Sequence, residues 1–162
     1  MTGIQRLDHA AYRCRDTEET RAFYEDFLGL PLVEAFPITT TATGRDANVL
    51  HSFFQLEDGS CIAFFEAPEQ PFEFAQQHDF DLHIALRVDQ ATQLRMIEKA
   101  KSCSQEMRGP SDHGFIHSIY FRDPNGYVVE LAAPAPGKEN RVFDPAKAKA
   151  RLEEWQASKA RG

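Results

Sequence analysis

Twice along the chain, a short apolar run, a helical stretch and further apolar runs follow one another in the same order. The segment LDHAAYRC-RD, from Leu7, resembles DLHIALRV-D, from Asp81. Each is bounded by an acidic residue and reads as a strand. In the first copy Asp16 stands as a helix cap with Glu19 three residues on, a capping-box spacing. Phe23, Tyr24, Phe27 and Leu28 then form one apolar helical face, and Gly29 suits the left-handed position after the helix. In the second copy Asp89 caps, and Leu94, Ile97 and Ala100 follow at helical spacing.

The later halves match too. HSFFQLEDG parallels HSIYFRDPNG, which makes His51 and His117 repeat partners. Asp58-Gly59 and Pro124-Asn125-Gly126 are tight turns, followed by the strands SCIAFFEA and YVVELAAP. Each copy therefore reads strand, helix, strand, strand, strand. The expected boundaries are 5–67 for the first module, 68–79 for a linker and 80–134 for the second. A polar tail, 135–162, carries a last helix over about 145–159, opened by Asp144-Pro145. Leu152 and Trp155 are expected to dock it on the body. The expected class is α+β: two tandem βαβββ modules forming a curved mixed sheet around a cleft, plus that helix.

The repeat gives three residues chemical weight. His9 and His83 hold the same place in the first strand of each copy, and Glu130 lies four residues after Gly126. A carboxylate inside the apolar run VVELAA is costly to bury without a partner. A metal cation removes that cost, and two imidazoles with one carboxylate suit Fe(II), Mn(II), Ni(II) or Zn(II). Counting four from Gly59 reaches Ala63, which cannot bind a metal, and Glu66 has the opposite strand parity. A site of three ligands with open positions is expected.

The carrying stretches, LDHAAYRCRDTEETRAFYEDFLGLPL, DLHIALRVD and SIYFRDPNGYVVEL, resemble the vicinal-oxygen-chelate superfamily of glyoxalases, extradiol dioxygenases, fosfomycin-resistance enzymes and bleomycin-binding proteins. The resemblance covers residues from about 5 to 134. It implies paired βαβββ modules, the ligands His9, His83 and Glu130, and a dimer. Within the superfamily the chain is most similar to extradiol ring-cleaving dioxygenases. Their pattern is matched by His113, then Ile119-Tyr120, Asp123-Pro124, Gly126 and Glu130, with Ser111 the one departure. The fosfomycin-resistance pattern is departed from at Ala11, where those enzymes carry a threonine, and in LAAPAPGKEN, where they carry basic ligands.

That resemblance implies one Fe(II) per site, with Mn(II), Ni(II) or Zn(II) as alternatives, and a catechol-like substrate. It places Tyr120 as a hydrogen-bond donor and His113 as acid or base. Ser118 shares Tyr120's strand parity. His117 has the opposite parity and reads as structural, and His51 and His78 are weak candidates. Phe53, Phe54, Phe64 and Phe65 line the cleft or pack beneath the helices. The alternatives are isomerisation or thiol addition on the same triad, and a non-enzymatic binder of a planar drug.

Bulk properties narrow the rest. The net charge of −7, with scattered basic residues, argues against nucleic acid as partner. No apolar stretch reaches the roughly 18 residues of a membrane span. The first residues lack the apolar core of a signal peptide. Cys14, Cys61 and Cys103 read as reduced, mostly buried thiols of a cytoplasmic protein.

Overall fold

The computed structural model describes residues 3–159. Its first half holds β1 (His9–Cys14), α1 (Thr17–Arg21), β2 (Leu32–Thr40), β3 (Asp46–Gln55) and β4 (Cys61–Glu66). The second holds β5 (His83–Arg87), α2 (Gln90–Ser102), β6 (Met107–Asp112), β7 (Ile116–Arg122) and β8 (Val128–Pro134), and α3 (Pro145–Lys159) follows. The strands form two four-stranded mixed sheets, ordered β1-β4-β3-β2 and β5-β8-β7-β6. The first strand of each runs parallel to the last, and the other pairings are antiparallel. The duplicated order in sequence is thus a duplicated topology.

Both predicted caps form. Asp16 accepts from Glu19 N at 2.9 Å and Asp89 from Thr92 N at 2.6 Å, satisfying amide groups that a helix start leaves unpaired. After Arg21 the first helix widens into a π-helical stretch, Ala22–Phe27, with Leu28 N donating to Phe23 O at 2.9 Å. That stretch buries Phe23, Tyr24 and Phe27. The buried face of α2 differs from the expected one. Gln93, Met96 and Ala100 point inward, while Leu94 is exposed. Gln93 is tolerated there because its Nε2 donates to His117 O and Leu131 O, leaving no buried donor unpaired.

Helices and the inner sheet faces share one core across both modules. Tyr12 packs on Tyr127 (ring centroids 5.4 Å apart) and Phe27 on Phe121 (5.1 Å). A buried polar clasp reinforces this contact. Asp123 Oδ2 accepts from Tyr24 OH at 3.1 Å, Asn125 Nδ2 donates to Thr20 Oγ1 at 3.2 Å, and Arg15 N donates to Asn125 Oδ1 at 2.8 Å. Burial lifts the Asp123 carboxyl above its usual range, against the hydrogen bonds from Asn125, Tyr127 and Tyr24 that pull it down. Gly126 has φ +100°, and a Cβ there would meet Ala75 O at 2.5 Å. The turn therefore admits only glycine without displacing the neighbouring backbone.

Two expectations about the periphery fail. Helix α3 forms but buries no residue, and Leu152 and Trp155 are exposed. Two large apolar residues on an otherwise polar, alanine-rich helix mark an apolar side without supplying a partner for it. Of the cysteines, only Cys14 is buried; Cys61 is intermediate and Cys103 exposed, and all are free. Among the described residues no helix is long and apolar enough to cross a membrane.

Candidate metal centre and its sheet faces

The two modules present equivalent rows of side chains on the sheet faces turned away from the shared core. In the second sheet the register aligns Ala85, Glu130, Tyr120 and Arg108 across β5, β8, β7 and β6. In the first it aligns Ala11, Ala63, Phe53 and Glu34 across β1, β4, β3 and β2. Ala63 therefore occupies the place of Glu130, as counting from the turn glycines anticipates, and Phe53 occupies that of Tyr120. The same register corrects the pairing of His51 with His117. The two hairpins enclose turns of equal length, so aligning them on Gly59 and Gly126 rather than on the two His-Ser dipeptides matches His51 with Ser118, on the outer face with His9. His117 has its Nε2 3.5 Å from Asp112 Oδ1 and sits on the other face.

On the second sheet Glu130 is 5% exposed. Its Oε1 accepts from Ser118 Oγ at 2.5 Å, and its Oε2 lies 3.3 Å from His83 Nε2. His83 donates its Nδ1–H to Asp79 O at 2.7 Å. That bond orients the ring and turns Nε2 toward the carboxylate. Two residues further across the face, Tyr120 OH and His113 Nε2 are 2.9 Å apart. Burial raises the Tyr120 pKa, with Ser118's hydrogen bond opposing it, so the phenol keeps its proton through the neutral range. Arg108 lies over the Tyr120 ring, 4.3 Å from its centroid, and pairs with Asp79.

On the first sheet His9 donates Nδ1–H to Asp8 Oδ2 at 2.7 Å, which anchors that side of the ring and leaves Nε2 as the outward nitrogen. Around it the face is aromatic. Phe53 lies 5.4 Å from His9 between ring centroids, and His51 stacks on Phe65 at 3.7 Å. His51 is held by Nδ1–H donation to Phe64 O at 2.9 Å. Phe54 and Phe64, in contrast, belong to the shared core. Glu66 is engaged elsewhere: it accepts from Thr17 N at 2.7 Å, at the start of α1. His78 accepts from Phe80 N at 3.2 Å in the connection between the modules.

The donor set fits a divalent ion in chemistry. A buried carboxylate oxygen faces an imidazole nitrogen, and each candidate histidine has its other nitrogen anchored. Within one chain, though, the three do not converge: among the described residues no group of three His, Cys, Asp or Glu is placed to hold a metal. A cavity of about 1010 Å³ opens between the modules beside Leu28, Pro31, Asp58, Arg87 and Gln90 and carries none of the three. Sequence reasoning missed Arg108 and Asp79. They lie in a Gly-Pro-interrupted strand and an irregular connection, and only the fold brings them together.

The family model described as Glyoxalase/Bleomycin resistance protein/Dioxygenase superfamily matches residues 6–131. The chain belongs to this superfamily. Solved superfamily structures share its fold. A glyoxalase/dioxygenase from Nostoc punctiforme is 24% identical with a TM-score of 0.63, covering 82% of this chain and 93% of its own. The fosfomycin resistance protein FosX from Mesorhizobium loti is 25% identical with a TM-score of 0.57, covering 82% and 94%. A mutant of FosX from Listeria monocytogenes, complexed with Mn(II) and 1S,2S-dihydroxypropylphosphonic acid, is 21% identical with a TM-score of 0.61, covering 82% and 95%. No curated protein matches the chain in sequence.

Proposed function

We propose that the chain is a metal-dependent ring-cleaving dioxygenase of the extradiol type, acting with Fe(II) on a catechol-like aromatic diol. The observation that carries the reading is the Tyr120–His113 pair, 2.9 Å apart, on the face that holds Glu130 and His83. In this reading His83 and Glu130 of one copy and His9 of a second copy hold the ion. The working unit is then a homodimer in which unlike sheet faces meet. Ala63 contributes no fourth ligand, which leaves coordination open and disfavours a glyoxalase-like isomerase. The three free thiols suit the reducing cytoplasm.

When bound, the ion supplies Lewis acidity that eases deprotonation of a diol hydroxyl and a redox centre for O2. The remaining work falls to side chains. Ser118 holds one Glu130 oxygen and leaves the other free. Tyr120, kept protonated by burial, donates a hydrogen bond to a substrate oxygen. His113, exposed and adjacent to that phenol, takes a proton from the diol and returns it later. Phe53 and Phe36 on the opposing face give the ring an apolar wall and exclude water.

The test is a panel of catechols given to Fe(II)-reconstituted protein under anaerobic conditions, followed by O2. A yellow ring-fission product and O2 uptake are expected, both strongly reduced in Tyr120→Phe. No colour and no uptake across the panel would remove the reading. One feature favours a second reading, modification of a phosphonate such as fosfomycin: the Arg108 cation beside Tyr120. Fosfomycin with Mn(II) therefore belongs in the same panel, and its consumption without diol turnover selects that reading.

A further inference from the structure

Asp79 lies four residues before His83 and works in two directions. Its backbone carbonyl accepts the His83 Nδ1–H at 2.7 Å, and its carboxylate accepts from Arg108 of β6. The guanidinium of Arg108 lies over the ring of Tyr120, 4.3 Å from the centroid. The stretch carrying Asp79 is itself strapped to the second module. Gln77 N donates to Gly126 O at 3.0 Å, and Arg122 Nη1 donates to Gln77 O at 3.0 Å and Gly126 O at 2.8 Å. Asp81 N and Leu82 N both donate to His78 O. The Asp79 side chain is 24% exposed against 60% for Arg108, so the carboxylate is the fixed end of the pair.

We infer that Asp79 and Arg108 are positioning residues, and that one connecting residue sets both the orientation of the His83 imidazole and the pitch of the Tyr120 ring. The tip of Tyr120 is held by His113, an exposed loop residue. A ring held only at its tip can still roll about its long axis. A flat cation laid over the ring face, and anchored at its far side by a carboxylate, removes that freedom. Lysine would not replace it, because an ammonium is a point charge on a flexible stem and does not stack. This inference rests on the reading that Tyr120 acts at the site.

The experiment compares the full chain with Asp79→Asn and Arg108→Lys, each labelled with fluorotyrosine and observed by fluorine NMR with and without Zn(II). The Tyr120 line is identified by its loss in Tyr120→Phe. In both variants it is expected to shift and sharpen, while the lines of Tyr12, Tyr24 and Tyr127 stay in place. Asp79→Asn keeps the backbone carbonyl, so Zn(II) affinity should stay within about threefold, since outer partners that are lost cost about tenfold or more. On any diol the wild type turns over, kcat should fall about tenfold with KM within about twofold, the pattern of a misplaced acting group. An unmoved Tyr120 line in both variants overturns the inference. Should the wild type turn over no diol, the fluorine result still decides the positioning claim. Arg108→Lys alters a largely exposed side chain, so it serves if Asp79→Asn fails to fold.

Discussion

The outer faces of the two sheets descend from one pattern and do different things with it. In the second module the central row is Ala85, Glu130, Tyr120 and Arg108; in the first it is Ala11, Ala63, Phe53 and Glu34. At each place where the second face puts a donor or acceptor, the first puts a methyl or an aromatic ring, until the outermost strand. What the first face keeps is the histidine. A duplicated scaffold thus offers one half with a buried carboxylate beside an imidazole and one half with a histidine in an aromatic setting. Neither half is complete, and within one chain they face away from each other across the shared core.

The sharpest way to break this asymmetry is to remove the buried carboxylate of the second outer face, Glu130. Glu130→Ala is expected to weaken divalent-metal binding by more than about 100-fold in calorimetric titration, because loss of even an outer partner costs about 10–100-fold. Ser118→Ala, which frees one Glu130 oxygen, should fall inside that outer range. His51→Ala, at the equivalent place on the other face, should leave metal affinity unchanged, since His51 donates to Phe64 O and is no ligand here. Metal affinity lost equally in all three would erase the distinction between the faces.

The turns differ as much as the faces. Asp58 serves its own turn, accepting from Ser60 N and Ser60 Oγ. Asp123 reaches into the other module through Tyr24 and holds Asn125 and Tyr127 in place. Asp123→Ala should therefore destabilise the fold by about 3 kcal/mol in denaturant melts, the scale of several buried partners left unpaired. Asp58→Ala should cost less. The glycines sharpen the same contrast. Gly126→Ala meets backbone at Ala75 and should cost about 2 kcal/mol or more, while Gly59→Ala meets only the flexible end of Arg6 and should cost about 1 kcal/mol. The smallest expected effect lies outside both modules: Leu152→Ala and Trp155→Ala should change stability by less than about 0.5 kcal/mol, because neither is buried.

Much of this was legible in the residues. The repeat, the caps at Asp16 and Asp89, and the common parity of Tyr120 and Ser118 follow from strand and helix periodicity, while the family resemblance set Tyr120 near Glu130. The emptiness at Ala63 follows from counting from a turn glycine. What escaped depends on information that periodicity does not carry. The two His-Ser dipeptides look alike but stand eight and nine residues before their turn glycines, so the strand register matches His51 with Ser118 and puts it on the face opposite to that of His117. The strand MRGPSD has no apolar alternation, so Arg108 gave no sign of lying over Tyr120. Gln93 is buried because two carbonyls await it, which no hydrophobic count predicts. A helix with two apolar residues at a helical spacing looks dockable, and α3 shows that spacing does not supply a partner.

The central claim is that His9 of one copy completes the site of another, and subunit mixing tests it most directly. His9→Ala and Glu130→Ala proteins, each expected to bind no metal tightly, are combined and the mixed dimer is isolated by two different affinity tags. If the site spans copies, the mixed dimer regains one intact site, contributed by His9 of the Glu130→Ala chain and His83 with Glu130 of the His9→Ala chain. It should bind about one Fe(II) or Mn(II) per dimer, against about two for the wild type, as the counting of ligands requires. A mixed dimer that binds no metal, beside a wild type that does, would contradict the account.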